Sequence, residues 1–319
     1  MARRAGAAIE KAHKDVISAT MAPIICGFSP WESPYTLYRR IKGLEPPREQ
    51  TLPMWLGTQM EPIVARLFTR ETGIKLKRPH KVFDPDFWFT SEEYGFPMGC
   101  LLDGIPMTKT GDRAEHAIWE GKTASGWQAG EWADELPLGY YFQVQHQLAV
   151  TGADRCYVAA LIGGNMFKHP VVERDNEVIA MITDKERAFW FKNVKAGVPP
   201  DADGHEATSN AIKAQWAHST PDYSEVIDDP EVERLAQVYV AQGQSIKALE
   251  NERDATGNQL RLVLEDRESI ISGAYKISAK EQTARRLDTT ALKAAHVEIA
   301  ERFMKESSSR PLRVTERKS

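Results

Sequence analysis

No stretch of this 319-residue sequence approaches the roughly 18 apolar residues that a helix needs to cross a bilayer, so no membrane-spanning helix is expected. Cysteine is scarce. Cys26, Cys100 and Cys156 lie far apart and form no C-x-x-C, which excludes a zinc ribbon and a disulfide framework and suits a reducing cytoplasm. The opening residues carry Arg3 and Arg4, but Glu10 and Lys11 interrupt them before any apolar core forms, so a secretory signal is not expected. Internal repeats are missing, and so is basic excess. Lys and Arg number 41 against 45 Asp and Glu, a net charge of −4, whereas DNA-binding domains commonly carry a positive balance. What remains is a composition of 42% hydrophobic and 27% charged residues, that of a soluble globular protein long enough for one large domain or two ordinary ones. The positive charge is also unevenly placed. Arg39, Arg40, Lys42 and Arg48 form one cluster, and Arg66, Arg70, Lys75, Lys77, Arg78 and Lys81 another. Each reads as a solvated face or as a local phosphate contact, because an enzyme with a carboxylate site can be acidic overall and basic in places.

The pattern along the chain is helices, then strands, then helices. A first helix is expected over residues 7–26, and a second opens at Ser33 and Pro34, an N-cap residue followed by a proline whose missing N–H costs nothing there. Residues 53–72 place Leu56, Met60, Ile63, Val64 and Leu67 at three- and four-residue steps, an amphipathic helix that Gly73 stops. Short apolar runs then predict strands at Val82-Phe83 with Phe87-Trp88-Phe89, and over residues 99–105 and 117–123, with a turn at Lys109-Thr110-Gly111-Asp112. A helix over 139–151, strands over 155–162 and 167–173, and a helix near 184–196 follow. Residues 201–224 are poor in large aliphatics and read as a loop or linker. Beyond them, residues 230–266 form one long charged helix with Val232, Leu235, Val238 and Tyr239 on one face. A β-like piece at 273–278 and a last helix over 289–305 complete the chain. The expected domains are a core over residues 1–200, a linker over 201–224 and a mainly helical region over 225–319, an α/β core with a helical appendage.

Three acids and a lysine carry the chemistry. Asp103 ends an apolar strand and precedes Gly104; Glu120-Gly121-Lys122 lies on a strand 17 residues further on. Strand side chains alternate, so Glu120 and Lys122 share a face, and adjacent strands lie about 4.8 Å apart, near enough for Asp103 to meet them. Two carboxylates at one spot repel unless a cation lies between, and oxygen ligands suit Mg²⁺ or Mn²⁺. An ammonium beside them can hold or deprotonate a water that attacks a phosphate. The same residues also describe an ion pair on an exposed hairpin. Glu61 lies at the margin of the apolar stripe, at a helix–sheet boundary or simply on a helix flank. Trp127 and Trp132 can stack on a base or pack over the sheet. His146 reads as structural. His116 lacks the second histidine of a zinc site, and Asp201-x-Asp203-Gly204-His205 is too short for a calcium loop.

These motifs, with their flanking text, resemble the phage lambda exonuclease and YqaJ-like viral recombinase nucleases of the PD-(D/E)XK superfamily. The resemblance runs from Ile17-Ser18-Ala19-Thr20 and Gly27-Phe28-Ser29-Pro30-Trp31 through Ser33-Pro34-Tyr35-Thr36-Leu37-Tyr38 and Gly57-Thr58-Gln59-Met60-Glu61. It continues through Asp103-Gly104, Glu120-Gly121-Lys122, the run from Gln143 to Gly152 and His169-Pro170-Val171-Val172-Glu173-Arg174-Asp175, covering about residues 13–196. Arg285-Arg286-Leu287-Asp288-Thr289 adds a likeness to the C-terminal part of YqaJ-like members. The resemblance implies a restriction-endonuclease-like core, a central mixed sheet flanked by helices. It implies Asp103, Glu120 and the Gly121 carbonyl as metal ligands, and Glu61 on a second ion. Lys122 orients or activates water, and Gln143 matches an active-site glutamine. Two Mg²⁺ or Mn²⁺ ions per site are implied.

Gln147, one turn below Gln143, is expected to share its face toward DNA. The family's arginine on the 5′-terminal phosphate aligns near His13, with Lys14 adjacent, and its companion hydroxyl is Thr20, with Ser18 close by. Thr20 also suits a helix surface or cap. Leu101-Leu102 replaces a Ser-Pro pair, so one phosphate-touching hydroxyl is missing. The implied activity is 5′-to-3′ exonucleolysis of double-stranded DNA ends, which leaves 3′ single strands for recombination. A ring-shaped homotrimer, a partner of the single-strand annealing type (RecT or Red-beta), a cytoplasmic location and no membrane contact go with it. The rivals are an endonuclease or opposite-polarity exonuclease of the same superfamily, and a DNA-end-binding scaffold without activity.

Overall fold

A computed structural model of the chain describes residues 15–45, 50–80, 83–108, 110–112, 116–133, 135–221, 223–306 and 309–316. The chain divides into two units, Met1–Ile212 and Lys213–Ser319.

In the first unit the expected opening helix is largely replaced. Residues 7–14 lie outside the described residues, and β1 (Ile17–Ser18) is a strand paired in parallel with Met98 and Gly99. Helix α1 is short (Ala22–Ile25), because Pro23 is tolerated only in the first turn and so dates the start of the helix. Helix α2 (Pro34–Ile41) begins where expected. The Ser33 hydroxyl accepts from the Thr36 N–H, and the Thr36 hydroxyl accepts from the Ser33 N–H. Helix α3 (Leu52–Thr72) ends at Gly73, whose φ of 74° an L side chain resists. Its buried stripe is Val64, Ala65 and Phe68, whereas Leu56 is exposed. Only the C-terminal half of α3 packs on Trp119, so periodicity found the helix and overextended its buried face.

Strand β2 (Lys75–Lys77), unexpected because two of its three residues are lysines, pairs antiparallel with β5 (Ile105–Met107). Strand β3 (Trp88–Ser91) pairs with β4 (Met98–Leu101). Phe83 is not in a strand, and Val82 and Lys109 lie outside the described residues. The single strand expected over 99–105 is broken at Leu102–Gly104 for a visible reason. The Leu102 N–H donates to Phe87, while the Gly104 carbonyl accepts from Trp119, so the chain changes partners there.

Strand β6 (Ala117–Ala124) runs parallel to β7 (Arg155–Ile162) over eight paired residues, joined by helix α4 (Leu138–Thr151). The expected strand 167–173 is two, β8 (Met166–Lys168) and β9 (Val171–Glu173), both antiparallel to β7 and separated by His169-Pro170. Helix α5 (Asn176–Ala188) continues as a π-helical turn, Phe189–Lys195. It starts earlier than expected because the Asp175 carboxylate caps it, accepting from the Glu177 and Val178 N–H groups.

Strand β6 has two working faces. Trp119 points into a cluster with Val64, Ala65 and Phe68 of α3, whereas Ile118 joins Val144 and Leu148 of α4 in the larger core. The sheet is thus covered by α3 on one side and α4 on the other.

Residues 201–224, expected as a loop, contain helix α6 (Glu206–Gln215). In the second unit α7 (Pro230–Leu264) is capped by Asp229. The β-like piece is a hairpin of β10 (Ser269–Ser272) and β11 (Tyr275–Ser278). The expected last helix is two, α8 (Thr289–Ala295) and α9 (Val297–Arg302), divided at His296. Among the described residues no helix is long and apolar enough to cross a membrane.

Candidate active site

Alternation along β6 sends Glu120 and Lys122 to the face that α4 covers, and the two side chains meet: Lys122 Nζ donates to Glu120 Oε1 at 2.6 Å. Helix α4 supplies the rest. Gln143 and Gln147 are four residues apart, one above the other. Gln143 donates through Nε2 to Glu120 Oε1 at 2.7 Å and accepts from Lys122 Nζ at 2.9 Å. Gln147 donates to Glu120 Oε2 at 2.8 Å. Both glutamines are buried, so Gln143 is not an exposed amide, and the nitrogen of Gln147 is turned onto Glu120 rather than outward. Asp103 reaches the same place from the break between β4 and β5, where its Oδ2 accepts from the Gly121 N–H at 3.0 Å.

These residues line one pocket of about 280 Å³ with Ser18, Ala19, Thr20, Cys100 and Leu101. Ser18 and Thr20 are joined there through their hydroxyls at 3.2 Å, the first buried and the second exposed. His13 and Lys14 lie outside the described residues. Glu61 does not join the pocket lining; it forms an ion pair with Arg78, a residue that sequence reading placed only in a basic cluster. Tyr140, whose ring centre lies 4.9 Å from Lys122 Nζ, was also missed. Its place three residues before Gln143 on α4 was the available signal. Trp132 is buried against Ala160 and Ile162, whereas Trp127 is exposed. His146 is buried and structural, with Nδ1 2.8 Å from Glu186 and Nε2 3.2 Å from the Gly99 carbonyl.

The electrostatics follow from this crowding. Burial, then the charges of Glu120 and Glu61, push the Asp103 carboxyl well above its usual range against the opposing pull of Lys122 and the Gly121 N–H. Burial also raises Glu61, which Arg78 opposes. Burial lowers Lys122, but Glu120 and Asp103 outweigh it, so the amine is held as an ammonium. Among the described residues no three His, Cys, Asp or Glu side chains form a ready cluster for a metal. The two carboxylates nevertheless suit a hard cation. Among the described residues Asp103 Oδ1 accepts no hydrogen bond and Glu120 Oε2 accepts only from Gln147, which leaves oxygen lone pairs open. The like-charge repulsion that raises Asp103 is what a divalent ion would relieve.

An acid where one strand changes partners, Glu-x-Lys on the next strand and a crossover helix whose amides hold that glutamate define an α/β protein with a mixed sheet between helices. The YqaJ-like viral recombinase domain matches residues 9–154. Protein YqaJ of Bacillus subtilis (strain 168) is 31% identical over 304 residues, 94% of this chain and 91% of that protein. The chain belongs to the YqaJ-like viral recombinase family. Among solved structures, the alkaline exonuclease LHK-Exo from Laribacter hongkongensis is similar at 18% identity and a TM-score of 0.46, over 65% of this chain and 97% of that one. A phage related exonuclease from Haemophilus somnus 129PT is similar at 13% identity and a TM-score of 0.36, over 56% and 80%. Both structural likenesses are loose.

Proposed function

We propose that this protein is a Mg²⁺-dependent deoxyribonuclease that removes nucleotides from the 5′ strand of duplex DNA ends and leaves 3′ single strands for annealing-type recombination. The observation that carries the reading is the pocket in which Asp103, Glu120 and Lys122 meet under Gln143 and Gln147. Membership of a recombinase family supports the biological setting. The 5′-to-3′ polarity, a ring of three copies and a single-strand annealing partner come from the family resemblance.

In this reading Asp103, Glu120 and the Gly121 carbonyl would hold Mg²⁺ or Mn²⁺, and Glu61, paired here with Arg78, would serve a second ion. The metal would supply Lewis-acid polarisation of the phosphate and a more acidic bound water. The remaining work belongs to side chains. Lys122, an ammonium at working pH, has no lone pair with which to take a proton. It therefore orients the attacking water and faces the charge that builds on the phosphate. Gln143 touches both Lys122 and Glu120 and fixes their separation. Ser18 and Thr20, which line the same pocket, offer hydroxyl donors to the phosphate.

The test uses linear duplex DNA labelled at either the 5′ or the 3′ end, beside a covalently closed circle, with Mg²⁺ or with chelator. Release of the 5′ label as mononucleotide with Mg²⁺, the circle staying intact, is the expected result. Cleavage of the circle assigns an endonuclease, release of the 3′ label assigns the opposite polarity, and silence on every substrate leaves a DNA-end-binding scaffold. Lys122→Ala and Glu120→Ala should each abolish cleavage while DNA binding survives, and near-normal turnover in either variant removes the site assignment.

A further inference from the structure

Charge in the second unit is segregated along the chain. Residues 213–266 carry 5 Lys and Arg against 11 Asp and Glu, whereas residues 267–319 carry 12 against 7. The chain as a whole has a net charge of −4, so this C-terminal stretch is a basic segment of an acidic protein. A solvated face made only for solubility mixes the two signs. Three of the cations here are also unpaired. Among the described residues of the second unit, ion pairs join Arg234 to Glu231, Arg267 to Glu265 and Lys280 to Glu268. Lys276, Arg285 and Arg286 are exposed and belong to none of them.

Local structure holds these cations out. Strands β10 and β11 meet at a two-residue turn, Gly273-Ala274, where Gly273 takes a φ of 56°. Ile270 pairs with Ile277 across the hairpin, and both are half-buried. Alternation puts Ile271 and its partner Lys276 on the other face, where both are exposed. Tyr275, beside the turn, is 76% exposed. Residues 279–287 form no helix or strand and present Arg285 and Arg286, until Asp288 caps α8. An exposed aromatic ring among unpaired cations suits a single strand of nucleic acid, whose phosphates take the cations and whose bases stack on the ring. A duplex keeps the faces of its bases on one another and leaves such a ring nothing to stack on. We infer that Tyr275, Lys276, Arg285 and Arg286 form a contact for single-stranded DNA outside the pocket, with the cations on phosphates and the tyrosine on a base. The choice of DNA rests on the nuclease reading, whose product includes a single strand. The attraction to a polyanion rests on the second unit alone.

Fluorescence anisotropy of a short labelled single strand tests it, with the full-length protein in chelator, so that nothing is cut, over a series of salt concentrations. Lys276→Gln/Arg285→Gln/Arg286→Gln should weaken binding about ten-fold. It should also lower the slope of log Kd against log salt by about 2, at roughly 0.7 per phosphate contact. Tyr275→Ala should weaken binding about five-fold and leave the slope unchanged, because stacking releases no counterions. Lys213→Gln/Lys247→Gln/Arg253→Gln removes three exposed cations from the acidic stretch and should bind as the parent does. All seven side chains are exposed, so folding is not at stake, and an unchanged thermal transition checks it. Affinity and slope that ignore the first triple variant overturn the inference. An equal loss in the second triple variant also overturns it, because attraction would then follow total charge. Loss confined to a duplex of the same sequence overturns the assignment to a single strand. A parent protein that binds the single strand through this segment and cuts no DNA with Mg²⁺ removes the nuclease reading and leaves the contact standing.

Discussion

Glu120 takes three donors, from Lys122 on its own strand and from Gln143 and Gln147 on α4. Lys122 and Gln143 share Oε1, so only removal of Gln147 leaves a carboxylate oxygen, Oε2, without a donor. Gln147→Ala should therefore cost about 1–3 kcal/mol, read as a lower midpoint in urea unfolding. A loss below the error of the measurement would mean that Glu120 does not depend on that amide. The thiols make a second prediction. Burial raises Cys26 to about 11 and also pushes Cys100 and Cys156 up, so all three stay protonated at pH 8. A thiol reagent at that pH should find no fast-reacting group in the native protein and three after denaturation. Glu186 supplies a pH dependence. Burial raises its native pKa above 4.5, with His146 pulling the other way. The folded protein therefore holds this proton more tightly than the unfolded chain. Its contribution is fully present below about pH 4.5 and is lost as pH rises through the native value. Glu186→Gln, which cannot ionise, should gain stability relative to the parent as pH goes from 4.5 to 7, measured as the difference in melting temperature; a difference flat with pH would contradict the shift. At this scale much of the site was legible. Strand alternation brought Glu120 to Lys122, and a four-residue helical step brought Gln143 to Gln147. The Glu61–Arg78 pair was not legible, because an ion pair between a helix and a residue just past β2, 17 positions on, leaves no periodic trace.

Strand β6 and helix α4 together set the spacing of the pocket, and the demands on β6 explain its glycine. On the face away from Glu120, the ring of Trp119 lies over Gly121, where a Cβ would come within 2.7 Å of it. Trp119 is fully buried against α3 and has nowhere to go. Gly121→Ala should cost about 1–3 kcal/mol through overpacking. It should also lower cleavage, because the same residue donates to Asp103. Wild-type melting temperature and turnover in that variant would show that the ring can retreat. Elements with strong local signals were readable: the Ser33–Pro34 start, the Gly73 stop and the apolar run of β7. Elements defined by their partners were not. Strand β1 exists because Ile17 finds Met98 in a distant strand, and β2 because it lines up with β5, and neither pairing is written in local composition. The break at Asp103 is of the same kind. It places the acid beside β6 and depends on which neighbour each carbonyl finds.

For the whole molecule, the division at Ile212–Lys213 separates a unit that carries the pocket from one that carries the long, largely exposed helix α7. With 41 basic against 45 acidic residues, the overall field gives no attraction to a polyanion, and the proposed activity on DNA would have to draw on local clusters. The helical C-terminal region was expected from the sequence. Its partner was not legible, because an exposed valine or leucine on its own carries no message about what covers a helix. Chemistry and assembly should separate in a single variant. Lys122 is held inside the pocket by Glu120 and Gln143 of its own chain. Lys122→Ala should therefore lose cleavage and keep the solution mass measured by light scattering. A Lys122→Ala protein of altered mass would tie the pocket to assembly.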